Sequence, residues 1–195
     1  MLIVIKMNQK EKPGKRSQSL IEEISIPEGI SIVVDNKTII IKNGGLEFKR
    51  TFNIKNINFE IENSRLRIKS TGATKREYKN IRTIRAHILN MIKGIKEPFV
   101  YKLKICSSHF PMKITIKGDI FRVENFLGEH HPRELRIKDG VNVKVDGSLI
   151  IVESHDKEKA GQVASDIERL TFIKDKDRRI FQDGIFVIEK SGKRV

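Results

Sequence analysis

Between Lys174 and Arg194 the chain carries seven basic and four acidic residues. They open as alternating charges, Lys174-Asp175-Lys176-Asp177, followed by Arg178 and Arg179. A turn at Asp183-Gly184 leads into the apolar stretch Ile185 to Ile188, and Lys190, Lys193 and Arg194 follow. Guanidinium groups present planar donor forks that match phosphate oxygens, and lysines add point charges, so the chemistry on offer is anion binding. Interleaved acids keep the segment from being a homogeneous disordered tail. The apolar stretch predicts a strand with something to dock on, which makes the whole an ordered phosphate-gripping arm.

A second candidate is the segment Phe126 to Arg136, FLGEHHPRELR. Gly128 lets the backbone approach another chain closely, and Arg133 and Arg136 follow a proline that restricts the loop. His130 and His131 sit at its centre, and Glu129 and Glu134 dilute its charge. A third group, Lys75, Lys79 and Arg82, falls at steps of four and three along a predicted helix, the pattern of one charged face. We read it as a secondary contact.

Other chemistries find little support. Cys106, His109, His130 and His131 include a Cys-x-x-His pair, but structural zinc sites usually show two or more cysteines, so no metal is expected. Ser107 and Ser108 beside His109 are a chance neighbourhood rather than a triad, and no Gly-x-Ser-x-Gly element or P-loop is present. No enzyme activity and no cofactor are predicted. His87, in mid-helix, reads as a half-buried histidine bonded to a nearby carbonyl.

The whole chain has 39 Lys plus Arg against 25 Asp plus Glu, a net charge of +14 over 195 residues. Such an excess calls for a polyanionic partner, nucleic acid first. No run approaches the roughly 18 apolar residues of a spanning helix, so no membrane partner is predicted. A single cysteine excludes an internal disulfide and fits a reducing compartment. Aromatics are only 6% and Trp is absent, which argues for backbone contact over base stacking.

The elements that must position these residues are written in the periodicity. Residues 1–19 form an N-terminal extension with a Pro-Gly and basic stretch. Alternating apolar residues then predict a hairpin (Ile30, Ile32 and Val34, with Thr38 to Ile41 returning), strands around Leu46 to Phe52, and another pair carrying Phe59, Ile61, Leu66 and Ile68. Tyr78, Ile81, Ile84, Ile88, Met91 and Ile92 recur at helical spacing. Thr74 and Glu77 form a capping box, and Gly94 is placed to end the last turn. After Lys96 to Pro98 the order begins again. Phe59, Ile61, Ser64 and Ile68 match Val143, Val145, Ser148 and Val152 in spacing, and a second helix follows, with Asp156 as N-cap and Ala160, Val163, Ala164, Ile167 and Leu170 as its buried stripe. The expected fold is α+β: two tandem copies of a small antiparallel β-sheet packed against one α-helix. Residues 20–95 make the first repeat and residues 96–195 the second, with the basic C-terminal tail.

Four segments in order carry a family resemblance: Arg82 to Ile95 (RTIRAHILNMIKGI), Phe99 to Pro111 (FVYKLKICSSHFP), Asn125 to Glu129 (NFLGE) and the tail from Lys174, including Arg179, Phe181, Asp183, Gly184, Ile185, Val187, Glu189 and Lys190. Together they resemble the archaeal and eukaryotic branch of the large-subunit ribosomal protein six family. The resemblance implies binding to large-subunit ribosomal RNA, mainly through the second copy and the tail, near the sarcin-ricin loop and the stalk base. Neighbouring ribosomal proteins and nearby translational GTPases are the implied partners. The implied location is the cytoplasmic ribosome, with a nuclear or nucleolar assembly stage in a eukaryote. Gly128, Arg136, Lys174, Lys176, Arg179 and Lys190 match family positions. Asn43-Gly44-Gly45 stands where relatives carry a basic turn, and Phe186 replaces a tyrosine. The competing expectation is a protein-binding adaptor holding acidic partners through sheet edges and the extension.

Overall fold

Isoleucine and valine at every second position favour extended chain, because β-branched side chains pack well on a pleated surface. The computed structural model describes residues 20–195 except 63, 73, 109, 175 and 178. The expectations for the N-terminal extension, His109 and Arg178 therefore lie outside the described residues. The first copy comprises β1 (Leu20–Ser25), β2 (Ser31–Asp35), β3 (Thr38–Asn43), β4 (Leu46–Thr51), β5 (Ile57–Glu62), β6 (Arg65–Ser70) and helix α1 (Lys75–Lys96). The second repeats that order as β7 (Phe99–Cys106), β8 (Lys113–Lys117), β9 (Ile120–Glu124), β10 (Arg133–Arg136), β11 (Asn142–Asp146), β12 (Leu149–Ser154) and α2 (Lys157–Leu170). It then adds β13 (Gly184–Lys190) and β14 (Lys193–Arg194). The α+β duplication expected from spacing is present.

The sheets run in the orders β1-β6-β5 and β2-β3-β4, then β10-β9-β8 and β11-β12-β7-β13-β14. Phe59 faces Ile68 and Ile61 faces Leu66 across one hairpin, as Val143 faces Val152 and Val145 faces Ile150 across its counterpart. The duplication extends to polar details that periodicity does not reveal. Ser70 and Ser154 end the matching strands β6 and β12, and both are buried. The Ser154 hydroxyl donates to the Gly140 carbonyl at 2.8 Å and accepts from the Asp156 amide at 3.2 Å.

By packing, the chain divides into one unit that ends at Ile40 and resumes over Lys49–Ala86, and another made of Ile41–Phe48 and His87–Val195. Within the first unit, Ile24, Leu66, Ile68, Ile81 and Ile84 are all at or below 3% exposed. Within the second, Leu103, Ile150 and Val152 of the sheet pack with Ala160, Val163, Ala164 and Ile167 of α2, and Phe121, Val123 and Phe126 close the same core.

Both helix starts follow their sequence signals. The Thr74 amide donates to Glu77 Oε2 at 2.9 Å while the Glu77 amide reaches Thr74 Oγ1 at 3.4 Å. That reciprocal pair holds the Glu77 carboxyl below its usual range. Asp156 accepts the amides of Glu158 and Lys159. Two expectations need correction, those for Tyr78 and Gly94. Tyr78 is not in the buried stripe: it is 42% exposed, with the Arg82 guanidinium 4.3 Å over its ring. His87 Nδ1 lies 3.0 Å from Glu158 Oε1. Gly94 does not end α1, which continues to Lys96.

The reason Gly94 has no side chain is a close approach. His155 Nδ1 donates to the Gly94 carbonyl at 2.7 Å, and a Cβ on Gly94 would stand 2.0 Å from the His155 carbonyl oxygen. Gly94→Ala should therefore lower stability by about 1–3 kcal/mol or more, despite alanine's better helix propensity, because backbone must move. Urea unfolding checks it, and an alanine variant as stable as the parent would contradict the packing described.

Candidate nucleic-acid interface

The basic tail is held by a strand. Strand β13 pairs antiparallel with β7, Gly184 opposite Cys106 and Phe186 opposite Lys104. A bulge between Val187 and Glu189 shifts the register, so that Glu189 meets Lys102, with its carboxylate 2.9 Å from Lys102 Nζ. Three side chains fasten the strand further. Asp183 Oδ1 accepts the Ser108 amide at 2.6 Å, Thr171 Oγ1 accepts the Ile185 amide at 2.9 Å, and Glu168 Oε1 accepts the Val187 amide at 3.1 Å. Asp183 and Thr171 are buried, where such bonds are worth most. Sequence reasoning saw Asp183 only as a turn residue and missed Thr171 and Glu168. Their partners are distant in the chain, so no local signal marks them.

This anchoring distributes the predicted cations instead of gathering them. Lys174, Lys176 and Arg179 precede β13, whereas Lys190, Lys193 and Arg194 follow its body. Seven residues of strand hold the two groups roughly 20 Å apart at about 3.3 Å per residue. In the leading group Lys174 is exposed, and Lys176 Nζ sits 4.8 Å over the Phe181 ring. The Arg179 side chain is 90% exposed and bound at one edge to Asp177, with Nη2 to Oδ2 at 2.8 Å. The pair holds the Asp177 carboxyl below its ordinary range. In the trailing group Lys190 faces Lys193 and Glu189 faces Arg194 across a two-residue turn, Ser191 and Gly192. Both turn residues have positive φ, 50° and 80°, the geometry that suits a tight hairpin. Lys190, Lys193 and Arg194 are exposed on this rigid hairpin.

The Phe126 to Arg136 segment is less of a loop than its sequence suggests. Its second part, Arg133–Arg136, is strand β10, paired with β9. Phe126–Gly128 make a single 3-10 turn with Leu127 at φ 51° and Gly128 at φ 78°. Gly128 faces its own chain: a Cβ there would meet the Phe110 ring at 3.4 Å. Arg133 turns inward. Its guanidinium lies 4.4 Å over the buried Phe126 ring, grips Glu129 through Nε (2.8 Å) and Nη2 (2.6 Å), and donates from Nη1 to the Leu170 carbonyl at 2.6 Å. Leu170 is the last residue of α2, where a cation also complements the helix dipole. His130, His131 and Arg136 are exposed. Lys75, Lys79 and Arg82 are likewise exposed on α1, Arg82 stacked on Tyr78.

The Glu129 carboxyl is held below its usual 4.5, first by the Arg133 hydrogen bonds and further by the charges of Arg133 and Lys176. Lys176 thus links the tail electrostatically to the turn. Because the folded pKa is depressed, this contribution is complete above the unfolded value and is lost as pH falls through the folded one. Carboxyl NMR should find Glu129 titrating below 4.5 and moving up in Arg133→Ala. That variant should lose about 1–3 kcal/mol, and Arg136→Ala less than about 0.5. Equal costs would contradict the inward role of Arg133.

A sequence profile of the family described as Ribosomal protein L6 matches residues 110–184, the stretch from the Phe110 contact through α2 to the start of β13. The chain is also similar to "Large ribosomal subunit protein uL6" of Methanococcus vannielii, 44% identical over 172 residues, covering 88% of this chain and 94% of that protein. A second "Large ribosomal subunit protein uL6", of Nanoarchaeum equitans (strain Kin4-M), is 43% identical over 181 residues, covering 89% and 94%. Coverage of that extent takes in most of both copies of the fold. The chain belongs to the ribosomal protein L6 family.

Proposed function

We propose that this chain, a structural constituent of the large ribosomal subunit and not an enzyme, clamps large-subunit RNA through phosphate and sugar contacts made at both ends of β13. The observation that carries the reading is the placement of exposed cations at the two ends of a strand whose own backbone is already fixed. Lys174 and Arg179 stand at one end of a hydrogen-bonded strand, and Lys190, Lys193 and Arg194 on the hairpin at the other. Fixed cations lose little side-chain and backbone freedom on binding, and they offset repulsion between RNA strands that must lie close. With few aromatics, readout falls on the backbone more than on bases.

Arg136 and the exposed histidines His130 and His131 border the same unit and extend the contact, with Gly128 keeping the turn narrow. Arg178 belongs to the leading group by its chemistry alone. Arg133 holds the turn in shape from within. Lys75, Lys79 and Arg82 form the secondary contact. The proposed location is near the sarcin-ricin loop and the stalk base, beside other ribosomal proteins and within reach of docking translational GTPases. Family membership supports the ribosomal setting, and the net charge of +14 supports an RNA partner.

Binding to a large-subunit RNA fragment should weaken steeply with salt, with a log-log slope of roughly 0.7 to 0.9 per phosphate contact. Changing Lys190, Lys193 and Arg194 together to Glu should deplete the protein from sedimenting large subunits, while its urea midpoint shifts by no more than about 0.5 kcal/mol equivalent. Salt-insensitive affinity, or undiminished incorporation of the triple variant, would overturn the clamp.

A further inference from the structure

The clips that fasten β13 leave a space beside it. A cleft of about 910 Å³ is bounded by the end of β7, the start of β13, the last turns of α2 and the connection from α2 to β13. Ile105 and the buried Ile185 give it an apolar wall. Three of the chain's ten phenylalanines, Phe172, Phe181 and Phe186, also line it, so aromatic surface that is scarce elsewhere is concentrated here. Phe172 and Phe181 are 50% and 36% exposed.

The polar groups of the lining suit an anion. Lys104 stands between Leu149 and Phe186 across the sheet, neighbours that offer it no carboxylate. Arg169 lies in the last turn of α2, and among the described residues neither cation is held in an ion pair. The two acids of the lining are engaged with backbone: Glu168 Oε1 accepts the Val187 amide and Asp183 Oδ1 the Ser108 amide. Ser107, Ser165 and Gln182 add hydrogen-bonding groups. The chain leaves the lining at Ile173 and rejoins it at Phe181, which puts Lys174 and Arg179 at the rim. Lys176 Nζ, 4.8 Å over the Phe181 ring, brings a further charge to the same wall.

Rings, hydrogen-bonding groups and cations in one cleft are the chemistry that receives a nucleotide: a base stacks on a ring, polar groups meet its edge, and lysine or arginine meets its phosphate. A lone phosphate would leave the rings unused, and an apolar side chain would leave the cations unused. The volume fits, since ligand sites run from roughly 300 to 1,000 Å³. We propose, on the basis of the phosphate clamp above, that this cleft takes one unstacked nucleotide of the large-subunit RNA, its base against Phe181 and its phosphate at Lys104 and Arg169. Phosphates gripped by Lys174 and Arg179 hold the strand at the rim, which lowers the entropy cost of bringing a base inside. A nucleotide that is already unpaired enters without loss of pairing, so the occupant comes from a loop or bulge.

Binding of the full chain to a large-subunit RNA fragment, measured across a salt series, tests this. Phe181→Leu keeps apolar bulk but removes the ring; it weakens binding roughly five- to hundredfold and leaves the log-log salt slope as in the parent. Phe181→Tyr keeps the ring and binds within about threefold of the parent. Lys104→Gln weakens binding and lowers the slope by one phosphate contact, roughly 0.7 to 0.9. Parent-like affinity of both Phe181→Leu and Lys104→Gln, with the salt slope intact, overturns the nucleotide and leaves the clamp standing. A flat salt response in the parent fails the clamp, while a weakened Phe181→Leu still supports a base in the cleft. If both variants bind the fragment as the parent does but are depleted from assembled large subunits, a protein side chain fills the cleft instead, and the nucleotide is overturned.

Discussion

The antiparallel pairing of β13 with β7 is the constraint on which the rest of this structure depends. A cationic tail free in solution would have to be ordered by its partner, at a cost of about 1–2 kcal/mol per residue in backbone entropy alone. Here the ordering is done during folding. The ladder, the buried Ile185, and the clips from Asp183, Thr171 and Glu168 fix the backbone before any anion arrives. What the tail gives up is breadth: its cations are separated by the length of one strand, which under the proposed clamp assigns them to two stretches of polyanion rather than one.

The same unit is used twice to different ends. Both copies place six antiparallel strands and one capped helix in one order, down to buried serines at matching strand ends. Among the described residues only the second adds a fourth and a fifth strand to its sheet, β13 and β14, and only the second replaces the short Gly44-Gly45 connection by a turn braced on Arg133. The additions carry the exposed cations Lys190, Lys193 and Arg194. The proposed phosphate contacts thus rest on the edge and one turn of one copy of a repeated scaffold, leaving the apolar pattern of the core alone.

Local patterns made much of this legible in the sequence. Period-two alternation located the hairpins, the Thr74 and Glu77 pair marked one helix start, Asp156 marked the other, and matched spacing exposed the duplication. Readings failed where three-dimensional packing, not local spacing, decides a residue's place. Gly94 resembled a helix terminator, but its lack of a side chain answers to His155, far along the chain. Tyr78 obeyed helical spacing yet lies outward beneath Arg82. Arg133 had the composition of a phosphate ligand, and only the fold reveals that Glu129, Phe126 and the end of α2 already occupy it. A guanidinium beside a carboxylate four residues away reads equally as solvent-facing charge or as an internal brace, and burial decides between them.

The central claim is that a strand-fixed pair of basic clusters meets RNA phosphates at both of its ends. A density map of an assembled large subunit containing this chain tests that without intermediaries. The account predicts Lys174 and Arg179 at one end of β13, and Lys190, Lys193 and Arg194 at the other, within hydrogen-bonding distance of phosphate oxygens. Both ends turned toward bulk solvent or toward protein alone would contradict it.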